Sequence, residues 1–170
     1  MRPTKDQWGL DLALVTSKRA TCLRRQVGCV LVNERGHVLA TGYNGVAAHQ
    51  PHCNEVVMVG ADFKQLGSDP LVQTPSRMVE THPHACAGAH SPSGTNLDGC
   101  QAIHAEQNAL LQCRDVWSIH TCYVTASPCM TCVKLLLNTS CERIVFAEAY
   151  PHKEASELWL RSGRAWVQLT

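Results

Sequence analysis

Two short motifs constrain the fold more than any other feature of the sequence. Residues 104–106 read His-Ala-Glu, and residues 128–132 read Pro-Cys-Met-Thr-Cys. His104, Cys129 and Cys132 supply one imidazole and two thiolates, which can hold a zinc ion on three sides and leave the fourth tetrahedral position to water. The fold must therefore bring His104 and Cys129, which are 25 residues apart, to one point.

Glu106 follows the histidine closely enough for its carboxylate to stand beside a metal-bound water without binding the metal. Zinc lowers the pKa of such a water to about 7, and a neighbouring carboxylate can carry its proton. We therefore predict a catalytic zinc with Glu106 as the proton carrier. The alternative is a structural zinc knuckle, which needs four protein ligands and gives Glu106 no role.

Composition narrows the class of protein. The formal net charge is +1 and 45% of the residues are hydrophobic, so the chain can bury a core and has no general attraction to nucleic acid. It has no apolar run of about 18 residues and no apolar core of a secretion signal near the N-terminus. We expect one domain over 1–170, with no membrane or nucleic-acid partner. A reducing, cytoplasmic compartment fits ten cysteines that serve metal binding more than disulfides.

Helical periods alternate with strand-like runs along most of the chain. The predicted helices cover 5–21, 103–113, 129–138 and 154–161. The predicted strands cover 27–32, 37–43, 119–126, 143–149 and 165–169. Strands that alternate with helices after a first hairpin indicate an α/β fold with a mixed, mostly parallel five-stranded sheet between helices. Both motifs then lie in the first turns of helices, where the dipole favours thiolate over thiol.

Residues 46–100 are the least regular part of the sequence, with five of the eight prolines and five of the nine histidines. An irregular stretch of this length is unusual inside a compact domain, and a bound metal could stabilise it. We interpret it as an insertion loop, with a short helix expected over 55–66.

Several segments together resemble the deoxycytidylate (dCMP) deaminases: 21–28, 42–45, 51–53, 103–106 and 127–132. The His-x-Glu and Pro-Cys-x-x-Cys pattern is also the signature of zinc nucleobase deaminases. The resemblance implies the cytidine deaminase-like three-layer α/β/α sandwich, a homo-hexamer, and hydrolytic deamination of dCMP to dUMP for thymidylate synthesis. It further implies activation by dCTP and inhibition by dTTP with Mg²⁺. Cys29, where relatives often carry alanine, is a departure, and so is the absence of a glycine-rich run at 46–50.

The same resemblance assigns residues around the substrate. Asn44 would contact the deoxyribose or an effector. The backbone around Ala126 and Ser127 would face the base, and Tyr150 would lie near the substrate phosphate.

An effector site is expected at the Gly-Tyr-Asn-Gly segment, again by resemblance. There the backbone of Gly42, Tyr43 and Gly45 would approach the nucleotide. Arg24 and Arg25 could supply charge for a triphosphate, with Mg²⁺ bridging the phosphate oxygens. The alternative is an ordinary turn beside a solvated basic face.

A second, structural zinc is a further expectation. Some phage members of this family bind such a zinc through cysteines that correspond to Cys22 and Cys53, and both are present here. Cys86 and His90 are predicted to complete the site, because a Cys-x-x-x-His spacing places two ligands on one helical face. The alternatives are His82, His84, Cys100 or no metal at all.

Three other functions compete with this interpretation. A tRNA adenosine or single-strand nucleic acid deaminase needs a basic channel and stacking aromatics, whereas this chain has a net charge of +1 and 5% aromatic residues. A free cytidine deaminase usually carries cysteine where His104 stands. A zinc-stabilised binding module without chemistry is the third alternative.

Overall fold

The computed structural model describes residues 2–50, 52–53, 56–59, 63–65, 73–75, 80–83, 86, 88–89, 91–92, 95–96 and 99–170. The helices are α1 (Lys5–Ser17), α2 (Ala105–Gln112), α3 (Met130–Leu137) and α4 (Lys153–Arg161), with a short 3-10 turn at Val116–Ser118. The strands before α2 are β1 (Gly28–Val32), β2 (Val38–Tyr43), β3 (Val56–Val59), β4 (Phe63–Gln65), β5 (Gln73–Pro75) and β6 (Glu80–Pro83). The strands after it are β7 (Thr121–Ala126), β8 (Arg143–Glu148) and β9 (Ala165–Gln168).

A five-stranded sheet in the order β2-β1-β7-β8-β9 forms the middle layer. Strand β1 pairs antiparallel with both β2 and β7, whereas β7, β8 and β9 pair in parallel. Four strands therefore share one direction and β1 opposes them, which confirms the predicted mixed, mostly parallel sheet. Helices α3 and α4 provide the crossovers that parallel neighbours require.

The two faces of the sheet are covered by different helices, which gives three layers. Because successive side chains of a strand point to opposite faces, β1 contributes to two cores. Cys29 and Leu31 pack with residues of α2, α3 and α4, including the fully buried Trp159. Val30 and Val32 pack on the other face with Leu10 and other residues of α1.

Helix α1 begins at the predicted residue 5, and Thr4 caps it, because the Thr4 hydroxyl accepts a hydrogen bond from the backbone N–H of Gln7 at 3.1 Å. It ends at Ser17, earlier than the predicted end at residue 21. The large apolar side chains of α1 do not all lie on its buried face, since Trp8 is 40% exposed. Leu10 and three small residues, Gly9, Ala13 and Ser17, are buried instead, and a Cβ on Gly9 would lie 2.5 Å from the ring of Tyr123.

The short helix predicted over 55–66 is wrong. Strand β3 pairs antiparallel with β6, and β4 pairs antiparallel with β5, so this region contains two separate two-stranded sheets. The β-branched residues Val56, Val57 and Val59 favour a strand over a helix. Within the described part of the chain, no helix has both the length and the apolar character needed to cross a membrane.

Candidate metal centre and substrate cleft

The predicted metal ligands lie at two helix N-termini. His104 and Cys129 are the capping residues of α2 and α3, with extended backbone (φ −69°, ψ 157° and φ −74°, ψ 171°). Both therefore precede the helical turns in which the sequence placed them, while Cys132 lies in the first turn of α3. The orientation of His104 is supported through its backbone N–H, which donates to the side-chain oxygen of Gln107 at 2.8 Å.

The three ligand atoms form a nearly equilateral triangle. Nδ1 of His104 lies 3.4 Å from the sulfur of Cys129 and 3.4 Å from that of Cys132, and the two sulfurs are 3.7 Å apart. A tetrahedral zinc with bonds of about 2.3 Å to sulfur and about 2.0–2.1 Å to nitrogen separates these atoms by about 3.5 and 3.8 Å. The donor set and its spacing therefore fit zinc. Among the described residues, this is the one group with three ligand atoms within 4.8 Å of one another.

The electrostatics of the triangle favour a thiolate. The pKa of Cys129 is lowered to about 3, first by the hydrogen bond with Cys132 and then by that with His104. The same hydrogen bond raises the pKa of Cys132, together with its burial. The His104 pKa is raised, first by its hydrogen bond to Cys129.

Glu106 lies beside the triangle and is 4% exposed. Burial raises its pKa to about 7, since the low-dielectric surroundings disfavour the carboxylate. The side chain reaches the same cleft as His104 and Cys129 without belonging to the group of ligand atoms. A buried carboxylate next to a cation site has the placement that a proton carrier needs.

The cleft collects most of the residues predicted to contact the substrate. Its lining includes Arg24, Arg25, Asn44, Ala126, Ser127 and Tyr150, next to the candidate metal ligands. Gly42, Tyr43 and Gly45 are not among the lining residues. The expected nucleotide-binding residues thus divide into a group inside the cleft and a group outside it.

Asn44 fixes one wall of the cleft. It is 8% exposed; its Oδ1 accepts from the backbone N–H of Val27 at 2.7 Å, and its Nδ2 donates to the carbonyl of Arg25 at 2.7 Å. These bonds hold the segment before β1 against the end of β2. The amide therefore positions Arg25 as well as facing the cleft.

The two neighbouring arginines have different surroundings. Arg24 donates from Nη1 to the carbonyls of Gly88 and Thr95, at 3.0 and 2.9 Å, which ties the cleft to the insertion at 46–100. Arg25 forms an ion pair with Glu148, and its guanidinium carbon lies 5.7 Å from the ring centroid of Tyr150.

Gly42 and Tyr43 end strand β2, which agrees with the strand predicted over 37–43, so the first half of the Gly-Tyr-Asn-Gly segment belongs to the sheet. A Cβ on Gly42 would lie 2.2 Å from the carbonyl oxygen of Ala105 and 2.3 Å from the amide of Ala109. Gly42 is therefore needed for α2 to pack on the sheet. On Gly45 the nearest contact would be a 3.4 Å approach to the Thr21 hydroxyl, which is ordinary packing.

The cysteines predicted for a second zinc come together in part. Cys53 and Cys86 are buried at 1% and 5% exposure, and the Cys86 sulfur forms hydrogen bonds with both Cys53 and Cys100. Cys22 is close enough to Cys53 and Cys100 to influence both electrostatically. His90 and His84 lie outside the described residues. Cys100, one of the alternatives, thus lies beside Cys86, and we call Cys22, Cys53, Cys86 and Cys100 the cysteine cluster; its sulfurs are more widely spaced than the ligand triangle.

Sequence reasoning missed Glu148, the ion-pair partner of Arg25. A usable signal existed: Glu148 is the next-to-last residue of the strand predicted over 143–149, and ligands of open α/β sheets bind beyond the carboxyl ends of parallel strands. The backbone carbonyl of Glu148 also accepts from Ser127 at 2.9 Å, next to the second metal motif.

Comparison with known protein families agrees with this architecture. The model of the cytidine and deoxycytidylate deaminase zinc-binding region matches residues 3–148. That match spans both ligand motifs and every strand of the main sheet except β9.

Individual relatives point the same way. A deoxycytidylate deaminase of Mycobacterium phage D29 is 32% identical over 146 residues, which cover 85% of this chain and 95% of the relative. One from Saccharomyces cerevisiae is 31% identical over 92% of this chain, which spans 41% of that relative. The crystal structure of dCMP deaminase from the cyanophage S-TIM5 in complex with dCMP and dUMP has a TM-score of 0.66 at 21% identity, over 99% of both chains. This last likeness is one of fold.

Proposed function

This chain belongs to the cytidine and deoxycytidylate deaminase family, and from that premise we propose that it hydrolyses the amino group from C4 of cytosine in dCMP, giving dUMP and ammonia. The observation that carries the proposal is the triangle of His104, Cys129 and Cys132 beside the buried Glu106. Relatives named deoxycytidylate deaminases, at 31–33% identity, support dCMP over other cytosine compounds.

We assign the metal to the triangle of His104, Cys129 and Cys132. A zinc ion bound there supplies Lewis-acid activation of water. The α3 N-terminus helps the two sulfurs to stay ionised, because its exposed N–H groups and dipole favour negative charge. The backbone of His104 is held by the cap of α2, in which its N–H donates to Gln107, and α2 itself packs closely on Gly42.

Glu106 moves the protons in this proposal. Its carboxylate takes a proton from the attacking water and delivers it to N3 of the base, then takes the proton of the new C4 hydroxyl and delivers it to the departing amino group. A site with little water around this carboxylate keeps those transfers directed to the substrate. The 4% exposure of Glu106 meets that requirement.

The remaining cleft residues orient the nucleotide. Ala126 and Ser127, at the end of β7, form the wall that faces the base, and Asn44 lies where it can bind the sugar. Arg25, over the ring of Tyr150, provides the positive charge for the 5′-phosphate, since guanidinium matches phosphate oxygens well.

A substrate panel tests the proposed reaction. Ammonia release is measured with dCMP, CMP, deoxycytidine, cytidine and a tRNA anticodon stem-loop at equal concentration. The proposal expects dCMP to give the highest kcat/KM. Highest activity on cytidine or on the stem-loop would replace it with one of the competing deaminase functions, and no turnover of any would favour a binding module.

We further propose that dCTP activates and dTTP inhibits this enzyme, with Mg²⁺ on the triphosphate, in a homo-hexamer. The support is the family resemblance and the Gly-Tyr-Asn-Gly segment, whose Tyr43 lies outside the cleft with the guanidinium of Arg19 at 6.0 Å from its ring centroid. The placement of Arg24 and Arg25 inside the cleft favours a role toward substrate for these two. Titration of dTTP and then dCTP against dCMP turnover, with light scattering for the assembly, tests this; flat responses contradict it.

We also propose that the cysteine cluster binds a second, structural zinc and that residues 46–100 are an insertion within a single domain. The supporting observation is the grouping of Cys86 with Cys53 and Cys100, close to Cys22. A metal bound by these cysteines would join parts of the insertion that are distant in the sequence and so contribute to its folding.

A further inference from the structure

Arg25 sits at the rim of the cleft with a charged partner of its own. Its Nη2 donates to the carboxylate of Glu148, and its guanidinium lies over the ring of Tyr150. The Arg25 side chain is 26% exposed, whereas that of Glu148 is 73% exposed. The arginine is therefore held within the wall, and the glutamate can turn into solvent at little cost.

The parts of this arrangement are fixed through the backbone. Asn44 Nδ2 binds the carbonyl of Arg25 at 2.7 Å. The Ser127 N–H donates to the carbonyl of Glu148 at 2.9 Å, and the Ser127 hydroxyl accepts from the Tyr150 N–H at 2.7 Å. The two charged side chains thus start from backbone positions that are tied to the cleft itself.

The neighbouring Arg24 provides a useful contrast. Its guanidinium is bound to the uncharged carbonyls of Gly88 and Thr95. The charge of Arg25, in contrast, is offset by the full negative charge of Glu148, which does not line the cleft itself but binds an arginine that does.

We propose that Glu148 is a specificity-determining residue that weakens binding of the phosphate of a nucleoside monophosphate in the cleft. This inference rests on the proposed function, in which Arg25 binds that phosphate. The carboxylate occupies one guanidinium nitrogen, so a phosphate must displace it or bind beside it and be repelled. Its effect falls on binding of phosphorylated ligands and leaves the chemistry at the metal centre unchanged.

If Glu148 instead positions Arg25, the opposite change in the KM for dCMP is expected. If the carboxylate served mainly to hold Arg25 in place, its removal would loosen the arginine and weaken phosphate binding. The sign of the change in KM for dCMP therefore separates competition from positioning.

Glu148→Gln is the informative substitution, and Glu142→Gln is its matched control. The two glutamates flank the same strand, β8, at 73% and 71% side-chain exposure, and each has a cationic or titratable partner. They are about 20 Å apart along the strand. Both substitutions remove one negative charge, so a general charge effect would appear in both.

The experiment compares kcat and KM for dCMP and for deoxycytidine in the wild type and the two variants. Because exposed ion pairs are worth at most about 1 kcal/mol, Glu148→Gln should lower the KM for dCMP roughly two- to fivefold, with kcat unchanged. The kcat/KM for deoxycytidine should not change, and the gain on dCMP should shrink at high salt. Glu142→Gln should match the wild type throughout.

An unchanged or higher KM for dCMP in Glu148→Gln overturns the inference, and so does an equal gain in Glu142→Gln. Calorimetric titration with inorganic phosphate keeps this outcome separate from failure of the proposed function. If the wild type does not deaminate dCMP, the reaction is wrong, but tighter phosphate binding by Glu148→Gln than by Glu142→Gln still supports the role of Glu148, and its absence still refutes it.

Discussion

The two cysteine groups of this protein offer the same thiol ligands, but different parts of the fold position them. Cys129 and Cys132 are three residues apart at one helix N-terminus, and their sulfurs lie 3.7 Å apart, facing His104. In the cysteine cluster, Cys53 and Cys86 come from separate parts of the insertion at 46–100. The first group is positioned by helices that pack on the main sheet, and the second by chain segments outside it.

The difference separates two ways of fixing ligand geometry. A cap-and-first-turn spacing sets the distance between two sulfurs locally, so the ligands are arranged before a metal arrives. Residues from distant loops must instead be ordered together, and metal binding then contributes to the folding of that segment. The geometry of the first group suits a catalytic metal, whereas that of the second suits a metal that stabilises the fold.

A large expected loss of turnover tests the chemical role of the first group. Glu106→Gln keeps the shape of the side chain and removes its ability to carry a proton, so kcat for dCMP should fall by about 10²–10⁴-fold. Zinc content, measured on the same samples, should stay at the wild-type value. Near-wild-type turnover would show that Glu106 is not the proton carrier.

Replacing one cysteine of each group by serine compares the roles of the two groups directly. Cys132→Ser should lose the catalytic zinc and with it all measurable dCMP turnover. Cys86→Ser should lose one zinc per chain and lower the melting temperature by several degrees, while most of the turnover remains. Metal analysis and thermal unfolding of both variants provide the check; equal zinc loss with equal activity loss would remove the distinction between the groups.

A pair of glycine substitutions tests whether packing positions the first group. Gly42→Ala forces a Cβ to within 2.2 Å of the Ala105 carbonyl, so it should destabilise the fold by about 1–3 kcal/mol and displace α2. Gly45→Ala, with its nearest contact at 3.4 Å, should change stability by less than about 0.5 kcal/mol. Chemical denaturation measures both. Similar stabilities would mean that the close approach of α2 does not depend on Gly42.

The smallest effect concerns the scaffold far from either group. Asp6 of α1 accepts from Arg143 of β8 at 2.9 Å and from the hydroxyl of Tyr123 at 2.8 Å. Burial alone would raise the Asp6 pKa, but these hydrogen bonds outweigh it and the pKa is lowered from 3.8. Since the pair is partly exposed, Asp6→Asn should cost about 1 kcal/mol.

The pH dependence of that cost follows from the sign of the shift. A carboxyl group whose pKa is lowered on folding stabilises the protein above its unfolded pKa, and loses this contribution as the pH falls through the folded value. The difference in unfolding free energy between wild type and Asp6→Asn should therefore be constant from about pH 7 to 5 and shrink below about pH 4. A difference that grew on acidification would contradict the assigned ion pair with Arg143.

The parts of the site that depend on local spacing could be predicted from the sequence. The distance between the sulfurs of Cys129 and Cys132 follows from one motif, because a helix cap and its first turn have one geometry wherever the helix lies. The mixed, mostly parallel sheet was likewise predicted from the alternation of strands and helices along the chain. Helix ends were predicted less well: α1 stops at Ser17 and not at residue 21.

Contacts between strand ends could not be read from the sequence in the same way. The pairing of Arg25 with Glu148 depends on the sheet order β1-β7-β8, which brings the start of one strand near the end of another. The packing role of Gly42 likewise depends on the distance between α2 and β2. In the insertion, the helix predicted over 55–66 was wrong, because β-branched residues favour strands and β3 and β4 both pair with other strands.

The most direct test of the account is zinc X-ray absorption of the Cys53→Ser variant, in which the proposed second site is disabled. Its fine structure reports the atoms bound to the remaining zinc. The account predicts two sulfur ligands at about 2.3 Å, from Cys129 and Cys132, and two nitrogen or oxygen ligands at about 2.0–2.1 Å, one of them from His104. A shell of four sulfurs, or zinc without sulfur, would contradict it.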